Sequence, residues 1–259
     1  MIIYSWNILF RNQELDRAFA FIKDNHFDFF CLQEVPEKFL KRLQTVSCFI
    51  AYSISIERVS KTSIVPLYNV ILSKFPIIFQ GEVPFENTWE KMPFRTKLFI
   101  FIMKPFHFTK SQNRRGMYVD VNVKGKSLRI FNLHLALAYP AQRQRELEVA
   151  MTHYDVTQDH IICGDFNIVE FPHIVPLNWL FGGKVSDVLL YKRERMNIEG
   201  YFKKLQLVNP LRGFITHPFS HSQLDHILIP KSFSVITTAV LPDRIGSDHC
   251  IIRVETEGS

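Results

Sequence analysis

Short runs of β-favouring residues recur along this chain, and several of them end in a polar or ionisable side chain. The clearest is IICGDFNI at 161–168. Ile161 to Cys163 read as a fully buried strand, Gly164 allows a sharp backbone turn, and Asp165 and Asn167 follow two positions apart. Side chains two apart in extended chain point the same way, so a carboxylate and an amide leave the strand end together. Taken alone, the same residues also describe a strand followed by an Asx-rich turn. The run at Ile2 to Trp6 likewise ends at Asn7, the run at Phe27 to Leu32 ends in Gln33 and Glu34, and the run at Leu128 to Leu133 delivers Asn132 and His134.

Between the first two of these runs, Leu15, Ala18, Phe19 and Ile22 follow helical spacing with charged residues between them, and Asp24-Asn25 ends the pattern. Pro36 opens a second, short helix carrying Phe39, Leu40 and Leu43. Strand, helix and strand in succession give an α/β layout. From 48 to 134 the pattern turns to β-rich runs at Cys48–Ile54, Leu67–Leu72, Lys97–Met103, Met117–Val123 and Leu128–Leu133, with Lys124-Gly125-Lys126 as a tight hairpin turn. A helix after Pro140 carries Leu147, Ala150, Met151 and Tyr154 on one face. The stretch 172–222 reads as surface loops and short helices, and Leu224–Ile229, Ser234–Val240 and Cys250–Val254 close the chain as strands. With no repeat, low-complexity tract or linker, residues 1–259 are expected to form one domain with two β-rich halves.

Composition narrows the class. Apolar residues make up 47% of the chain and 24 Phe stand against 10 Gly, which argues for an aromatic-rich packed core rather than disorder. The formal charge of +6 favours an anionic partner, whether nucleic acid, a phosphorylated small molecule or a membrane surface. Cys31, Cys48, Cys163 and Cys250 are widely spaced, lie in or near apolar runs and form no CxxC pair, so they read as reduced core residues. The N-terminus lacks the marks of a signal peptide, and no apolar run approaches the ~20 residues needed to cross a bilayer. A cytoplasmic protein without a transmembrane segment, acting as a monomer, is the expectation.

Strand ends far apart in sequence therefore offer Asn7, Glu34, Asp165 with Asn167, and Asp248 with His249; His134 and Asp225 are further candidates. Each has a structural alternative: Glu34 as an acid at a helix start, Asp248 as a turn residue, His134 as a satisfied core histidine. Their joint occurrence points elsewhere, because polar groups gathered at one edge of packed sheets cost stability unless they bind something. A set of carboxylates, amides and imidazoles suits a metal and a phosphate.

SWN at 5–7, LQEV at 32–35, NLHL at 132–135, GDFN at 164–167 and SDH at 247–249, in that order, resemble the endonuclease/exonuclease/phosphatase superfamily. ILSKFPI at 71–77 and QLDHIL at 223–228 resemble two further segments of that family, so the likeness spans nearly the whole chain. The resemblance implies a DNase I-like fold: a four-layer α/β sandwich of two packed mixed β-sheets flanked by helices, with a Mg2+-dependent site at one edge and Mn2+ as a possible substitute. By the same resemblance Glu34 is the principal metal ligand, Asn7 the neighbouring amide that places metal or phosphate, and Asp248 a second acidic group near the metal. Asp165 orients or deprotonates the attacking water, Asn167 contacts the phosphate, Asp225 orients the catalytic His249, and His134 is a second histidine on the phosphate side.

Residue chemistry agrees with those roles. Mg2+ prefers oxygen ligands and needs one or two protein carboxylates, and no Cys/His zinc spacing competes. A metal and a protonated histidine near the nonbridging oxygens would stabilise charge in the transition state, while Asp165 would serve a water placed for in-line attack. For substrate, the shared core fixes the reaction class and leaves the ester open. Arg114-Arg115, Arg143 with Arg145, and KRER at 192–195 would suit a nucleic-acid backbone, with Trp89, Phe106, Phe108 and Tyr191 available to stack on bases; the alternative for each basic cluster is a solvated charged face. ILFRNQ after the first motif lacks the continuations of the abasic-site endonucleases and of the tyrosyl-DNA phosphodiesterases, although CLQEVPEKFLKRL at 31–43 resembles the second motif of the latter. The reading is a metal-dependent phosphodiesterase acting on nucleic acid. The alternative is a phosphatase or a phospholipid or inositol-phosphate phosphodiesterase; a binding module that has lost catalysis is disfavoured because Glu34, Asp165, Asn167, Asp225 and His249 are all present.

Overall fold

The computed structural model describes residues 1–59, 63–87, 89–103, 110–170, 175–186, 190 and 192–257. Two mixed sheets pack face to face. The first has the order β12-β13-β1-β2-β4-β3-β6 and the second β10-β11-β9-β8-β7-β5. The first sheet comprises β1 (Ile2–Asn7), β2 (Phe29–Pro36), β3 (Phe49–Val59), β4 (Ile64–Ser73), β6 (Lys110–Gln112), β12 (Ser234–Leu241) and β13 (Ile251–Glu257). The second comprises β5 (Ile77–Pro84), β7 (Arg115–Val123), β8 (Lys126–His134), β9 (Asp159–Asp165), β10 (Leu207–Val208) and β11 (Asp225–Pro230). β1 and β2 pair in parallel, as do β8 and β9, and the other described pairs are antiparallel.

Period-two alternation explains the layering. One side of each central strand enters the core between the sheets: Ile3, Phe29, Cys31, Ala51 and Ile71 from the first sheet meet Val119, Ile130, Ile161, Cys163 and Ile227 from the second. The other side of β1 and β2, with Tyr4, Trp6, Phe30 and Leu32, packs on α1 (Leu15–Asp24) and α2 (Glu37–Leu43) through Ala18, Ile22, Phe39 and Leu43. The outer face of the second sheet, with Phe131, Ile162 and Leu228, is covered by α4 (Pro140–Met151) and by a helix over Arg193–Lys204 through Leu147, Ala150, Ile198 and Phe202. Helix, sheet, sheet and helix layers make the expected four-layer sandwich. The hairpin expected at Lys124-Gly125 is present: Val123 pairs with Lys126, and both turn residues have positive φ, 53° and 87°. All four cysteines are free thiols, and burial pushes the Cys48, Cys163 and Cys250 thiols up.

Two expectations are corrected. The run at Lys97–Met103 is not a strand; it lies in α3 (Phe94–Ile102), with α5 (Val175–Leu180) beside it. A continuous apolar run carries no period to separate strand from helix, and here Pro93 precedes the first turn and its carbonyl accepts from the amides of Thr96 and Lys97. The region 172–222, expected to hold loops and short helices, contains the 12-residue helix α6 (Arg193–Lys204). Its buried face includes Arg195 and Glu199 among Ile198 and Phe202, which hides the apolar stripe from a reading of hydrophobic period.

Candidate active site at one edge of both sheets

The strands run so that their polar ends meet. β1 and β2 ascend in parallel, β8 and β9 ascend in the second sheet, and β11 descends beside β9, so Asn7, Glu34, His134, Asp165 and Asp225 all reach the same edge. His134, Asp165 and Asp225 are neighbours across adjacent strands, since His134 pairs with Asp165 and Asp165 with Asp225. Gly164 makes this close packing possible. Its φ is +141°, and a Cβ there would lie 1.8 Å from the Leu133 carbonyl oxygen. Glu34 occupies a bulge in β2, between the Leu32 and Val35 pairings to β4, with φ +56°. That kink turns its carboxylate toward the site, where Oε2 accepts from the Phe10 amide at 3.2 Å.

Asp165 is the centre of the cluster. Its Oδ2 accepts from Asn7 Nδ2 at 3.1 Å and from Asn167 Nδ2 at 3.2 Å, and its Oδ1 accepts from the Asn167 amide at 2.8 Å. Asn167 itself has φ +54° and donates to the Leu135 carbonyl at 3.0 Å, so the turn that first read as an Asx turn is one, and it also fixes the side chain. His249 Nδ1 sits 2.9 and 3.1 Å from the two Asp225 oxygens, while its Nε2 lies 3.7 Å from Asp165 Oδ2. His134 Nε2 is 3.7 Å from Asp165 Oδ2 and 3.9 Å from Glu34 Oε1.

Burial and charge set the protonation states. Burial pushes Asp165 up to about 7, against the pull of His249 and the donated hydrogen bonds, with Asp225 adding to the rise. Burial alone would lower His249, but Asp225 and Asp165 outweigh it and raise the ring to about 10, making it an imidazolium at neutral pH. His134 goes the other way: burial, then Arg114 and His249, lower it to about 3. His134 is therefore neutral, and its approaches to Glu34 and Asp165 are not ion pairs. Asp248 is half-exposed and faces His217 Nε2 at 3.8 Å and His249 Nε2 at 4.0 Å; burial opposes its ionisation, yet the two histidines bring it down to about 2.

The donor set fits a divalent cation of oxygen preference. Burial raises the Glu34 carboxyl, with Asp248 adding to the rise, and Asp248 Oδ1 is buried with no hydrogen-bond partner, so a cation held at these carboxylates would answer both costs. Asn7 offers a side-chain oxygen on the adjoining strand end, although that atom also accepts from the Leu9 amide at 3.1 Å. Two His/Asp groups have ligand atoms within 4.8 Å of one another, Asp165-Asp225-His249 and His217-Asp248-His249. Both depend on His249, whose Nδ1 is already held by Asp225, so the first is better described as a hydrogen-bonded carboxylate–imidazolium pair.

Of the three arginines expected at a substrate backbone, Arg143 and Arg114 are committed to the protein interior, and Arg115 sits in a surface pair. Arg143 is fully buried, pairs with both Glu194 oxygens at 2.7 and 2.8 Å, and donates to the Ala136 and Leu137 carbonyls. Arg114 forks onto Glu146 at 3.0 and 3.1 Å and donates to the His134 carbonyl at 2.8 Å. Arg115 pairs with Glu82 at 2.8 Å. Of KRER, Arg195 is buried against Glu170, at 3.0 and 3.1 Å, and the His226 ring. A charge on a helix face reads as solvated in sequence; here α4 and α6 turn these charges inward because acidic partners on other elements meet them. Phe106, Phe108 and Tyr191 lie outside the described residues, and Trp89 is half-buried in the connection before α3.

Sequence reasoning missed Thr216. Its hydroxyl donates to Asp225 Oδ2 at 2.7 Å and accepts from the Leu224 and Asp225 amides, so it fixes the carboxylate that holds His249. Within the SDH motif it gives Ser247 no role, yet the Ser247 hydroxyl donates to the Asn7 carbonyl at 2.7 Å and accepts from the His249 amide; Arg58, stacked 3.9 Å over Phe10 beside Glu34, it misses altogether. Single hydroxyls and one strand arginine leave no spacing signal; only the chain ends they join make them visible.

A profile of the Endonuclease/Exonuclease/phosphatase family matches residues 4–249. Among solved structures, an endonuclease/exonuclease/phosphatase from Beutenbergia cavernae superposes with a TM-score of 0.70 at 17% identity, covering 99% of this chain and 71% of the other. A mannosyl-6-phosphatase from Bacteroides thetaiotaomicron gives 0.64 at 16% identity, covering 99% of both chains. TDP2 from D. rerio, solved in complex with single-strand DNA product, gives 0.62 at 14% identity, covering 99% of this chain and 98% of that one. No curated protein sequence matches the chain.

Proposed function

Since the chain belongs to the endonuclease/exonuclease/phosphatase family, a family of phosphoric ester hydrolases, we propose that it is a Mg2+-dependent phosphodiesterase that cleaves nucleic acid. The observation that carries the hydrolytic reading is the meeting of Asn7, Glu34, Asp165, Asn167, Asp225 and His249 at one edge of both sheets, with His249 held charged by Asp225. Asp165 accepts the proton of the attacking water, and the Asn7 and Asn167 amides on its Oδ2 fix the carboxylate for that transfer. The His249 imidazolium presents Nε2–H to the phosphate and stabilises the charge that develops there as the P–O bond opposite the attacking water breaks and the leaving oxygen departs, to be protonated from solvent. Thr216 and Asp225 hold that ring in place, and neutral His134 offers a further hydrogen-bonding ring on the same side. Glu34, Asp248 and Asn7 would hold Mg2+, or Mn2+ in its place, which supplies Lewis-acid polarisation of a nonbridging oxygen.

Nucleic acid is favoured as the substrate by the net charge of +6 and by the likeness to TDP2 solved with single-strand DNA product. The enzyme is proposed to act as a monomer in the cytoplasm, and the four free thiols support that compartment. Among the described residues no helix is long and apolar enough to cross a membrane. The test is a substrate panel of plasmid, abasic-site duplex, single-stranded DNA, RNA, 5′-phosphotyrosyl oligonucleotide, inositol phosphates and bis-nitrophenyl phosphate, with and without Mg2+, using the protein and its Asp165→Asn and His249→Ala variants. Metal-dependent turnover of nucleic acid, reduced at least about 10²-fold in both variants, is expected. Turnover of monoesters alone would replace this reading with a phosphatase, and no metal-dependent turnover on any substrate would remove the enzyme reading.

A further inference from the structure

The site draws Asn7 and Glu34 from one sheet and His134, Asp165 and Asp225 from the other. Apolar contacts between the sheets carry no direction, so they do not by themselves set the register of one sheet on the other. Directional contacts across the gap gather at Asn132, which is fully buried on β8 two residues before His134. Its Nδ2 donates to the Leu32 carbonyl at 3.0 Å and the Val70 carbonyl at 2.9 Å. Its Oδ1 accepts from Gln33 Nε2 at 2.8 Å, and its backbone carbonyl accepts from Asn69 Nδ2 at 3.2 Å.

The partners locate what this amide does. Leu32 and Val70 form the last regular pair of β2 with β4 before the bulge, and pairing resumes only at Val35 with Tyr68. Gln33 and Glu34 are the residues within the bulge, and Asn69 is the residue opposite them. A bulge interrupts the ladder and leaves backbone groups in need of other partners. Here both N–H groups of one side chain from the opposite sheet go to the two carbonyls at its edge, and the amide oxygen receives the side chain of the first bulged residue. Glu34, held at φ +56° next along the chain, is thereby pinned relative to β8 and to His134.

We propose that Asn132 is a positioning residue for the metal carboxylate, its amide clamping the β2 bulge from the second sheet so that Glu34 faces the site. This rests on the reading of Glu34 as a metal ligand in the proposed hydrolase. Asn132→Ala leaves the bulge intact in sequence but removes the amide's bonds to the Leu32 and Val70 carbonyls and to Gln33, and loss of a group that orients a ligand weakens metal binding by about 10–100-fold.

The experiment measures the Kd of Mn2+ by electron paramagnetic resonance of the free ion, on the full chain, for the wild type, Asn132→Ala, Asn132→Asp, Ile130→Val and Glu34→Gln. Ile130→Val trims the same strand in the same inter-sheet layer and serves as the control for general loosening. The expected result is a Kd raised about 10–100-fold in both Asn132 variants, near wild type in Ile130→Val, and beyond measurement in Glu34→Gln. Excess metal should then restore much of the lost turnover in Asn132→Ala, so the metal dependence shifts more than kcat. If Asn132→Ala does not fold, Gln33→Met, which removes the contact to Oδ1 together with the Gln33 bonds to the Ser5 hydroxyl and the Cys31 carbonyl, should raise the Kd in the same direction. A wild-type Kd in the Asn132 or Gln33 variants with binding lost in Glu34→Gln overturns the positioning role alone, as does an equal rise in Ile130→Val. A wild-type Kd in Glu34→Gln overturns the ligand reading on which the proposal stands.

Discussion

Gly164→Ala should break the site without touching any residue that carries chemistry. A Cβ at 164 would lie 1.8 Å from the Leu133 carbonyl oxygen, 2.7 Å from its carbonyl carbon and 2.9 Å from its nitrogen. Every one of those atoms is backbone of β8, so no side chain can swing away. Non-bonded contacts settle near 3.5 Å, so β8 and β9 must separate by roughly 1.5 Å at this point. The φ of +141° adds strain that alanine does not tolerate. Strained backbone and overpacking each cost about 1–3 kcal/mol, giving a loss on the order of 4 kcal/mol. For a chain of this size that is a fall in Tm of about 10 °C. The separation opens the ladder where His134 pairs with Asp165. A displacement near 1 Å costs about 10²-fold in rate, so turnover should fall at least that far even at a temperature where the variant is folded. Thermal denaturation followed by circular dichroism, with turnover assayed well below the variant's Tm, reads both quantities. A variant within about 2 °C of wild type and fully active would refute the argument that the β8–β9 approach requires glycine.

Other consequences follow from single residues. Thr216→Val removes the donor to Asp225 Oδ2 and the acceptor for two amides, and should cost about 1–3 kcal/mol in denaturant unfolding and about tenfold in kcat, with Thr216→Ser restoring most of both. Arg143→Ala leaves Glu194 unpaired and should destabilise by about 3–5 kcal/mol, while the salt slope of binding to the proposed nucleic-acid substrate stays at the wild-type value. Acid should weaken the fold through His160, which stacks on Tyr154 at 4.0 Å and accepts from the Asp155 amide; burial first, then Arg129, lower its pKa from 6.5 to about 4. The unfolded chain therefore binds more protons than the fold between these values. Its contribution is complete above pH 6.5 and is lost as pH falls through 4, a change on the order of 1–2 kcal/mol once solvent screening is discounted. Burial and Arg195 lower His226 in the same direction. Denaturant unfolding from pH 7 to 4 should show this slope, reduced in His160→Gln; an unchanged slope in that variant would remove His160 as its source.

Much of this arrangement is legible in the sequence because it depends on period and on strand ends. Ile161 to Cys163 running into Gly164 and Asp165, and Leu128 to Leu133 running into His134, announce both the strands and the groups they deliver. What is hidden depends on tertiary partners. Arg143 reads as a surface cation until Glu194, fifty-one residues away, is seen to meet it inside. Lys97–Met103 could be strand or helix by composition, and only its departure from the sheets decides. Thr216 looks like an ordinary polar residue, and Asn132 is visible as a strand-end amide without its role, since what distinguishes each is the chain end or bulge that it holds.

The residues that face the gap between the sheets show why such a site stays stable. Followed toward the active edge, they read Ile3, Ser5, Asn7 on β1; Phe29, Cys31, Gln33 on β2; Ile71, Asn69 on β4; Ile130, Asn132, His134 on β8; Ile161, Cys163, Asp165 on β9; and Ile229, Ile227, Asp225 on β11. Each strand changes from apolar to polar over one or two inward positions, whichever way it runs. The dry half buries Ile3, Phe29, Ile71, Ile130, Ile161 and Ile229 completely, and at about 1.5–3 kcal/mol for each such side chain it can offset the cost of desolvating the groups above it. Between the two halves lies a layer of neutral amides and a hydroxyl: Gln33, Asn69 and Asn132 hydrogen-bond across the sheets, and Ser5 accepts from Gln33 within the first sheet. That middle layer does what neither neighbour can: apolar packing fixes distance but not register, and charged groups repel or attract according to what is bound. A neutral, directional layer would keep the two half-sites aligned as the charges above it change on binding of the proposed metal and substrate, so substitutions there should alter metal affinity more than the fold.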